Sequence, residues 1–243
     1  MPERGLSQEQ QQLPTINIGL LVPDTSYNLA INGARQVVDK ANKLGGFQGR
    51  EFRLAIRSTE GPWGAGSKES VALVYEDNVR AIVGSLDGRN AHLAEQVAAK
   101  SHLSYIEAYA TEPTLSQAYV PWFMRVVPND DQQAKALMEL IKRKGEGNIG
   151  VLSTESYDTQ YAVRSLEKAS GSETGGTLSI IDIDQLEGPE QIIIDEIRSH
   201  RIRHLILPFE PALKKEVLLA IKKELPSLQL YGPLHFTMGA EHR

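Results

Sequence analysis

The stretch Leu44-Gly45-Gly46-Phe47-Gln48-Gly49-Arg50 constrains the fold more than any other part of the chain. Glycine tolerates the positive φ that closes a helix. Paired glycines after an apolar helical stretch, with one more glycine before a strand beginning at Glu51, therefore mark a βαβ corner. Upstream, Ile16-Asn17-Ile18-Gly19-Leu20-Leu21-Val22-Pro23 is an apolar run of strand length, followed by a polar turn and a helix over 29–44. Downstream come a strand over 51–57, a Gly/Pro loop, a helix over 67–76 and the apolar run Val79-Arg80-Ala81-Ile82-Val83-Gly84-Ser85.

The alternation continues to the end of the chain. Helices are expected over 91–100, 157–169, 189–199 and 212–224, and strands over 103–107, 148–152, 177–183, 204–207 and 228–231, with 121–127 extended. Asp130 can cap a further helix whose apolar positions Ala134, Leu137, Leu140 and Ile141 share one face. Strands separated by helices of this length imply parallel sheets covered on both faces. At 243 residues and 41% hydrophobic, the chain can bury a sizeable core as one domain or two. A formal charge of -5 gives no support to nucleic-acid binding, and no apolar run approaches the roughly 18 residues that span a bilayer. With no cysteine, disulfides, thiolate metal sites and thiol catalysis are excluded for this chain.

Several motifs invite an enzymatic reading, and each fails on order or context. Gly61-Pro62-Trp63-Gly64-Ala65-Gly66-Ser67-Lys68 follows a strand and opens a helix, but a phosphate loop needs Gly-Lys-Ser/Thr where this chain has Gly-Ser-Lys. A solvated loop ending in a helix cap is the expectation. Gly145-Glu146-Gly147-Asn148-Ile149-Gly150 spells GxGxxG, yet it lies between a helix and a following strand, the reverse of a dinucleotide fingerprint, and reads as a helix C-cap turn. His200 and His204 stand four apart across a helix-to-strand junction, where that spacing loses the meaning it has on one helix. Asp182 and Asp184 share a strand face and read as an exposed strand end. No Gly-x-Ser-x-Gly elbow is present.

In open α/β sheets, ligands collect beyond the carboxyl ends of strands. Here those loops are Ser85 to Asn90, Ala108 to Thr111, Ser153 to Tyr157, and Pro208-Phe209-Glu210, the first two on one lobe and the last two on the other.

The order and spacing of the elements around Gly45-Gly46-Phe47-Gln48-Gly49-Arg50, with Tyr109-Ala110-Thr111-Glu112-Pro113-Thr114-Leu115 and Phe123-Met124-Arg125-Val126-Val127-Pro128-Asn129-Asp130-Asp131-Gln132-Gln133, resemble the type I periplasmic binding proteins. The specific likeness is to the branched-chain amino-acid (Leu/Ile/Val) branch, and it runs over about 16–232. The resemblance implies two Rossmann-like α/β lobes with parallel sheets. It divides the chain into a disordered tail over 1–14, an N-terminal lobe over 15–128 and a C-terminal lobe over 129–243, and it leaves open whether the first lobe is complete. It implies a small-molecule ligand enclosed by hinge closure, delivery to the membrane subunits of an ABC importer, no cofactor and a periplasmic or extracellular location.

Carried over residue by residue, the resemblance places Gly88 where a serine commonly binds the ligand carboxylate, with Arg89 or Asn90 as substitutes for the absent hydroxyl. Thr111 matches a threonine that contacts charged ligand groups, Tyr109 lies where a backbone contact helps, and Ala110 between them is a further candidate contact. Tyr157 matches an aromatic that closes over the ligand. Glu210 stands where an aromatic is common, and Leu234 where an acid would neutralise a ligand amine. These departures set the chain apart from a standard amino-acid binder.

Family members also return to the first lobe after the strands of the second, whereas this sequence stops soon after Tyr231. An exposed sheet edge is therefore expected, to be covered by self-association if the protein is naturally short. The polar, Gln-rich start over 1–12 contains no apolar signal region, which leaves open a cytosolic ligand-sensing module of the same fold.

Overall fold

A computed structural model describes residues 14–62, 64–84, 87–117, 119–171, 176–184, 189–208 and 215–232. Residues 1–13 of the expected tail, the Phe209-Glu210 loop and Leu234 lie outside the described residues.

The first sheet is built from β1 (Ile16–Val22), β2 (Phe52–Ser58), β3 (Ala81–Gly84), β4 (Ser104–Glu107) and β5 (Phe123–Arg125), in the order β2-β1-β3-β4-β5. Every pairing is parallel; Leu20, for example, stands opposite Ile56 on one side and Val83 on the other. The helices α1 (Asn28–Lys43), α2 (Ala65–Tyr75) and α3 (Gly88–Lys100) connect its strands, and a 3₁₀ turn over Pro113–Ser116 precedes β5. The second sheet contains β6 (Asn148–Ser153), β7 (Leu178–Asp182), β8 (Ile202–Ile206) and β9 (Gln229–Tyr231), in the order β7-β6-β8-β9 and again parallel. Its helices are α4 (Asp130–Lys144), α5 (Tyr157–Ser170), α6 (Pro189–Ser199) and α7 (Lys215–Glu224). The α/β class and the two-sheet architecture are those expected.

The glycine corner has the anticipated geometry and a specific cause. Gly45 and Gly46 have φ of 99° and 64°, and a Cβ on Gly46 would lie 2.0 Å from the Arg50 carbonyl oxygen. Phe47 and Arg50 exchange both backbone hydrogen bonds around Gln48 and Gly49, whose φ values of 53° and 76° are the doubly positive pair of a tight hairpin turn. Asn42 then clamps the end of α1 to the start of β2, accepting from the Phe52 N–H at 2.8 Å and donating to its carbonyl at 2.9 Å.

Two helix starts differ from expectation because of their caps, and α2 also begins two residues early, at Ala65. Helix α3 begins one turn early, at Gly88, because the side chain of Asp87 is its N-cap and accepts from the Asn90 N–H. For α4 the cap is Asn129 rather than Asp130. Asn129 accepts from the Gln132 N–H, and the Gln132 side chain accepts in return from the Asn129 N–H, a reciprocal box that leaves Asp130 inside the helix.

In the first lobe Leu73, Ile82, Tyr105 and Leu115 are fully buried with Ala91 and Ala94 of α3. The second sheet is covered on both faces: Ile193, Ile197, Leu205 and Ile221 form a core with α6 and α7, and Met138, Ile149, Val151 and Leu166 form one with α4 and α5. On α1 only Ile31 is buried among the described residues, while Leu29 and Val37 are exposed. β5 forms an edge of the first sheet, with Met124 and Val126 exposed.

Candidate functional site

Each sheet has one point where strand order reverses, between β1 and β3 in the first and between β6 and β8 in the second. Chains leaving such neighbouring strands diverge and open a crevice at their carboxyl ends. The helices that start there are α3 and α5, and they meet across a cleft between the sheets. The cleft holds a cavity of about 450 Å³ lined from the first lobe by Asp87, Arg89 and Asn90 and from the second by Glu155, Tyr157 and Asp158.

The wall from the first lobe is rigid. A Cβ on Gly84 would lie 2.2 Å from the Leu21 carbonyl oxygen, so the exit from β3 requires glycine. Asp87 accepts from both the backbone N–H and the side-chain amide of Asn90, at 2.8 and 2.7 Å. Asn90 Oδ1 in turn accepts from the Gly66 N–H at 3.1 Å, tying α3 to the start of α2. Gly61 and Gly64, expected only as a solvated loop, also line the cavity. On the opposite wall Ser156 caps α5 by accepting from the Thr159 N–H, and Gln160 holds the preceding loop through the Thr154 carbonyl at 2.7 Å.

The lobes touch through one hydrogen bond in particular: the backbone N–H of Gly88, in the first turn of α3, donates to Asp158 Oδ1 at 2.9 Å. Asp158 itself lies in the first turn of α5 and is buried. It therefore stands between two helix N-termini, where backbone N–H groups and the helix dipole favour negative charge. Burial still pushes its carboxyl up to about 7. The Gly88 N–H works against that shift, and the carboxylates of Asp87, Asp130 and Glu112 add to it. Arg89 lies with its guanidinium carbon 5.3 Å from the centre of the Tyr157 ring. Burial and the neighbouring Tyr161 raise the Tyr157 phenol.

Beneath the cleft lies a network of buried charge. Glu107 is fully buried and accepts from the N–H groups of Tyr109 and Ala110, both at 2.8 Å, and from the Tyr105 hydroxyl. Burial pushes its carboxyl up to about 8 despite these donors. Glu112 meets the His92 ring at 2.6 Å and accepts from the Thr114 N–H at 2.7 Å. Burial acts to raise the Glu112 carboxyl, but these donors overcome it and leave it below the ordinary value. Donation by its ring to the carboxylates of Glu112 and Glu95 brings His92 up to about 9. Asp130 is buried and pushed up to about 6, held by Thr111 through its side chain and through the Asp130 N–H to Thr111 carbonyl bond of 2.8 Å. Arg125 donates to the Glu112 carbonyl oxygen at 2.6 Å in the midst of these acids.

Of the residues singled out from sequence, Arg89, Asn90 and Tyr157 line one cavity and Gly88 lies against it. The N–H groups of Tyr109 and Ala110 are engaged by Glu107, and Thr111 is buried against Asp130 at the crossover between lobes. The cap of the 3₁₀ turn is Glu112. Asp158, Glu107, Glu112 and His92 escaped sequence reasoning. Of these, only Asp158 carried a signal, an acid in the first turn of a helix at the mouth of a crevice.

The other motifs resolve into structure. Gly145 ends α4 with φ of 113°, as expected of a C-cap turn. His204 is buried between the Tyr231 hydroxyl and the Gly145 carbonyl, both at 3.0 Å, while His200 is exposed at the end of α6. Asp182 and Asp184 are exposed at the end of β7, and Asp184 accepts from the Glu155 N–H. A larger cavity of about 610 Å³ runs along β2. It belongs to the first lobe alone, and Arg57 in its wall is held by Asp77 at 2.6 Å, Glu76 at 2.8 Å and Glu69 at 3.2 Å. The interlobe cleft, with two helix N-termini at strand carboxyl ends, is the candidate site.

Two parallel α/β sheets facing each other across such a cleft define a two-lobed ligand-binding architecture. The family model described as periplasmic binding protein matches residues 15–190, and the chain belongs to that family. Among curated proteins it is similar to the Leu/Ile/Val-binding protein BraC3 of Rhizobium johnstonii, 29% identical over 134 residues that make up 52% of this chain and 35% of that one. It is also similar to glutamate receptor 3.7 of Arabidopsis thaliana, 36% identical over 72 residues, 30% of this chain and 8% of the receptor. Among solved structures, an ABC transporter substrate-binding protein from Desulfitobacterium hafniense in complex with Leu superposes with a TM-score of 0.75 at 18% identity, covering 90% of this chain and 66% of that chain. The chain thus spans less than two thirds of the length of each of these relatives. No described helix is long and apolar enough to cross a membrane.

Proposed function

We propose that the chain is a non-enzymatic solute-binding protein that traps a small polar molecule between lobes divided at 128/129 and presents it to the membrane subunits of an ABC-type importer. The observation that carries this reading is the cavity bounded by the first turns of α3 and α5, one from each lobe. A site assembled from two lobes is complete only when they close, so ligand binding and closure are one event. Arg89, Asn90 and Tyr157 meet the ligand. Gly88 sets the floor, and Tyr109, Ala110 and Thr111 support it through Glu107 and Asp130. Similarity to BraC3 and to the Leu-bound protein of Desulfitobacterium hafniense supports a transport role in the periplasm or outside the cell.

The test is a thermal-shift screen of the purified chain, repeated on Tyr157→Ala and Thr111→Ala, because a ligand that binds only the folded state raises its melting temperature. Expected is a shift by one chemical class that Tyr157→Ala abolishes and Thr111→Ala weakens. A shift that survives both substitutions places the site elsewhere. A second reading, a ligand-sensing module that passes closure to a partner, draws on the similarity to a plant glutamate receptor. It predicts that ligand changes the affinity for a partner chain or a second copy rather than for a transporter.

A further inference from the structure

The N-terminus of a helix at a cleft is the natural seat of an anion, because its first N–H groups have no partner within the helix. In this chain the seat on α3 is taken by the protein itself. Asp87 caps the helix from its own lobe, and Asp158 reaches from the other lobe to accept from the Gly88 N–H at 2.9 Å. A Cβ on Gly88 would find Asp158 Oδ1 at 2.7 Å, Glu112 Cβ at 3.0 Å and Tyr157 Cε1 at 3.2 Å, so this position has no space for a ligand carboxylate while Asp158 occupies it. The N-terminus of α5 likewise has Asp158 in its first turn.

The charge around the remaining space points the same way. Three acids, Asp87, Glu155 and Asp158, line the cavity against one base, Arg89, whose guanidinium lies over the Tyr157 ring. Glu112 and Asp130 add negative field from behind, offset in part by His92 and Arg125 beside them, and the balance still raises the carboxyl of Asp158, which is buried among these groups. A ligand that brings positive charge relieves this repulsion on closing, whereas one that brings a carboxylate adds to it and must also displace Asp158 from Gly88.

We propose that Asp158 acts as a tethered anion that sets ligand charge: the cleft takes a small molecule with an amine or guanidinium head and no free carboxylate, and excludes amino acids and carboxylic acids. This deepens the solute-binding reading and rests on it.

The experiment titrates the full chain by calorimetry with agmatine and putrescine as cationic probes and with leucine and benzoate as carboxylate probes, for the wild type, Asp158→Asn and Asp158→Ala. The wild type should bind a cationic probe at least ~10-fold more tightly than either carboxylate, the scale of one charge interaction at a partly buried site. Asp158→Asn keeps an acceptor for Gly88 but loses the charge, and should weaken the cation about 10-fold without admitting carboxylates. Asp158→Ala frees the Gly88 N–H and should bring carboxylate binding above that of the wild type. Wild-type binding of leucine or benzoate as tight as that of agmatine, unchanged in Asp158→Ala, overturns the proposal while leaving solute binding intact. Failure of every probe with every variant, together with a flat thermal-shift screen, overturns both.

Discussion

Asp158→Asn isolates the electrostatic cost of closing this cleft. In the closed protein the Asp158 carboxyl titrates at about 7, from an ordinary value of 3.8, because burial and the carboxylates of Asp87, Asp130 and Glu112 outweigh the Gly88 N–H. When the lobes separate or unfold, the group regains water and its ordinary acidity. Below about pH 7 the closed state therefore holds a proton that the open state releases, and above it Asp158 is the anion that faces the cleft. By linkage, the stabilisation is fully present below about pH 4 and is lost as pH rises through 7. A shift of about three units at about 1.4 kcal/mol each sets a differential of order 4 kcal/mol, or roughly 10 °C in melting temperature for a chain of this size. The groups around Asp158 include Asp87, the cap of α3, Arg89 on α3, Glu112 before β5, Asp130 on α4, and Glu155 and Tyr157 at the start of α5. Asp130, at about 6, is coupled to Asp158, so its titration moves with the substitution and adds to the difference curve, while His92, at about 9, titrates above the window that decides it. Melting temperatures of wild type and Asp158→Asn would be measured at half-unit steps from pH 4.5 to 8.5 at constant ionic strength. The wild type should fall more steeply, with the difference between the two changing most between pH 5 and 7. Parallel curves would show that Asp158 does not sit buried among like charges, and the argument for a tethered anion would go with them.

Gly88→Ala places a methyl 2.7 Å from Asp158 Oδ1 and close to Glu112 and Tyr157, and should wedge the lobes apart; an increased radius of gyration by X-ray scattering, with the melting of each lobe retained, is the expected result. His92→Ala removes the partner that keeps Glu112 charged while fully buried, and should cost roughly 2 kcal/mol or more in denaturant unfolding at pH 7, with the loss shrinking as pH falls and Glu112 becomes neutral. Ile221→Ala opens a hole in the core beneath α6 and α7 and should cost about 2–5 kcal/mol, read in the transition of the second lobe by amide exchange, with the first lobe's core amides unchanged.

The framework of this molecule is local and was therefore legible. Strands β1 through β9 and their helices follow from apolar runs of strand or helix length, and the α1–β2 corner follows from glycines whose positive φ no other residue adopts cheaply. Where the reading slipped, a side chain rather than periodicity decided. The helical stretch of α3 looked as if it began at Ala91, because Gly88-Arg89-Asn90 lacks apolar residues, and only the Asp87 cap reveals one more turn. Asp130 looked like a cap until Asn129 and Gln132 closed a box around the helix start.

The cleft was legible only by address. The switch points of two sheets locate it, but its chemistry depends on which groups face each other once both sheets exist. Gly88 and Asp158 are 70 residues apart, and nothing in either segment announces the other. The absence of a serine hydroxyl at Gly88 read as a lost ligand contact. In the folded chain the same absence makes room for a carboxylate from the opposite lobe. One missing side chain and one buried acid thus form a single device, because any Cβ on residue 88 would fall on Asp158. Glycine at 88 and aspartate at 158 have to be read as a pair. A variant restoring serine at 88 should bind carboxylates only when Asp158 is removed with it, and a serine variant that binds leucine with Asp158 still in place would break that pairing.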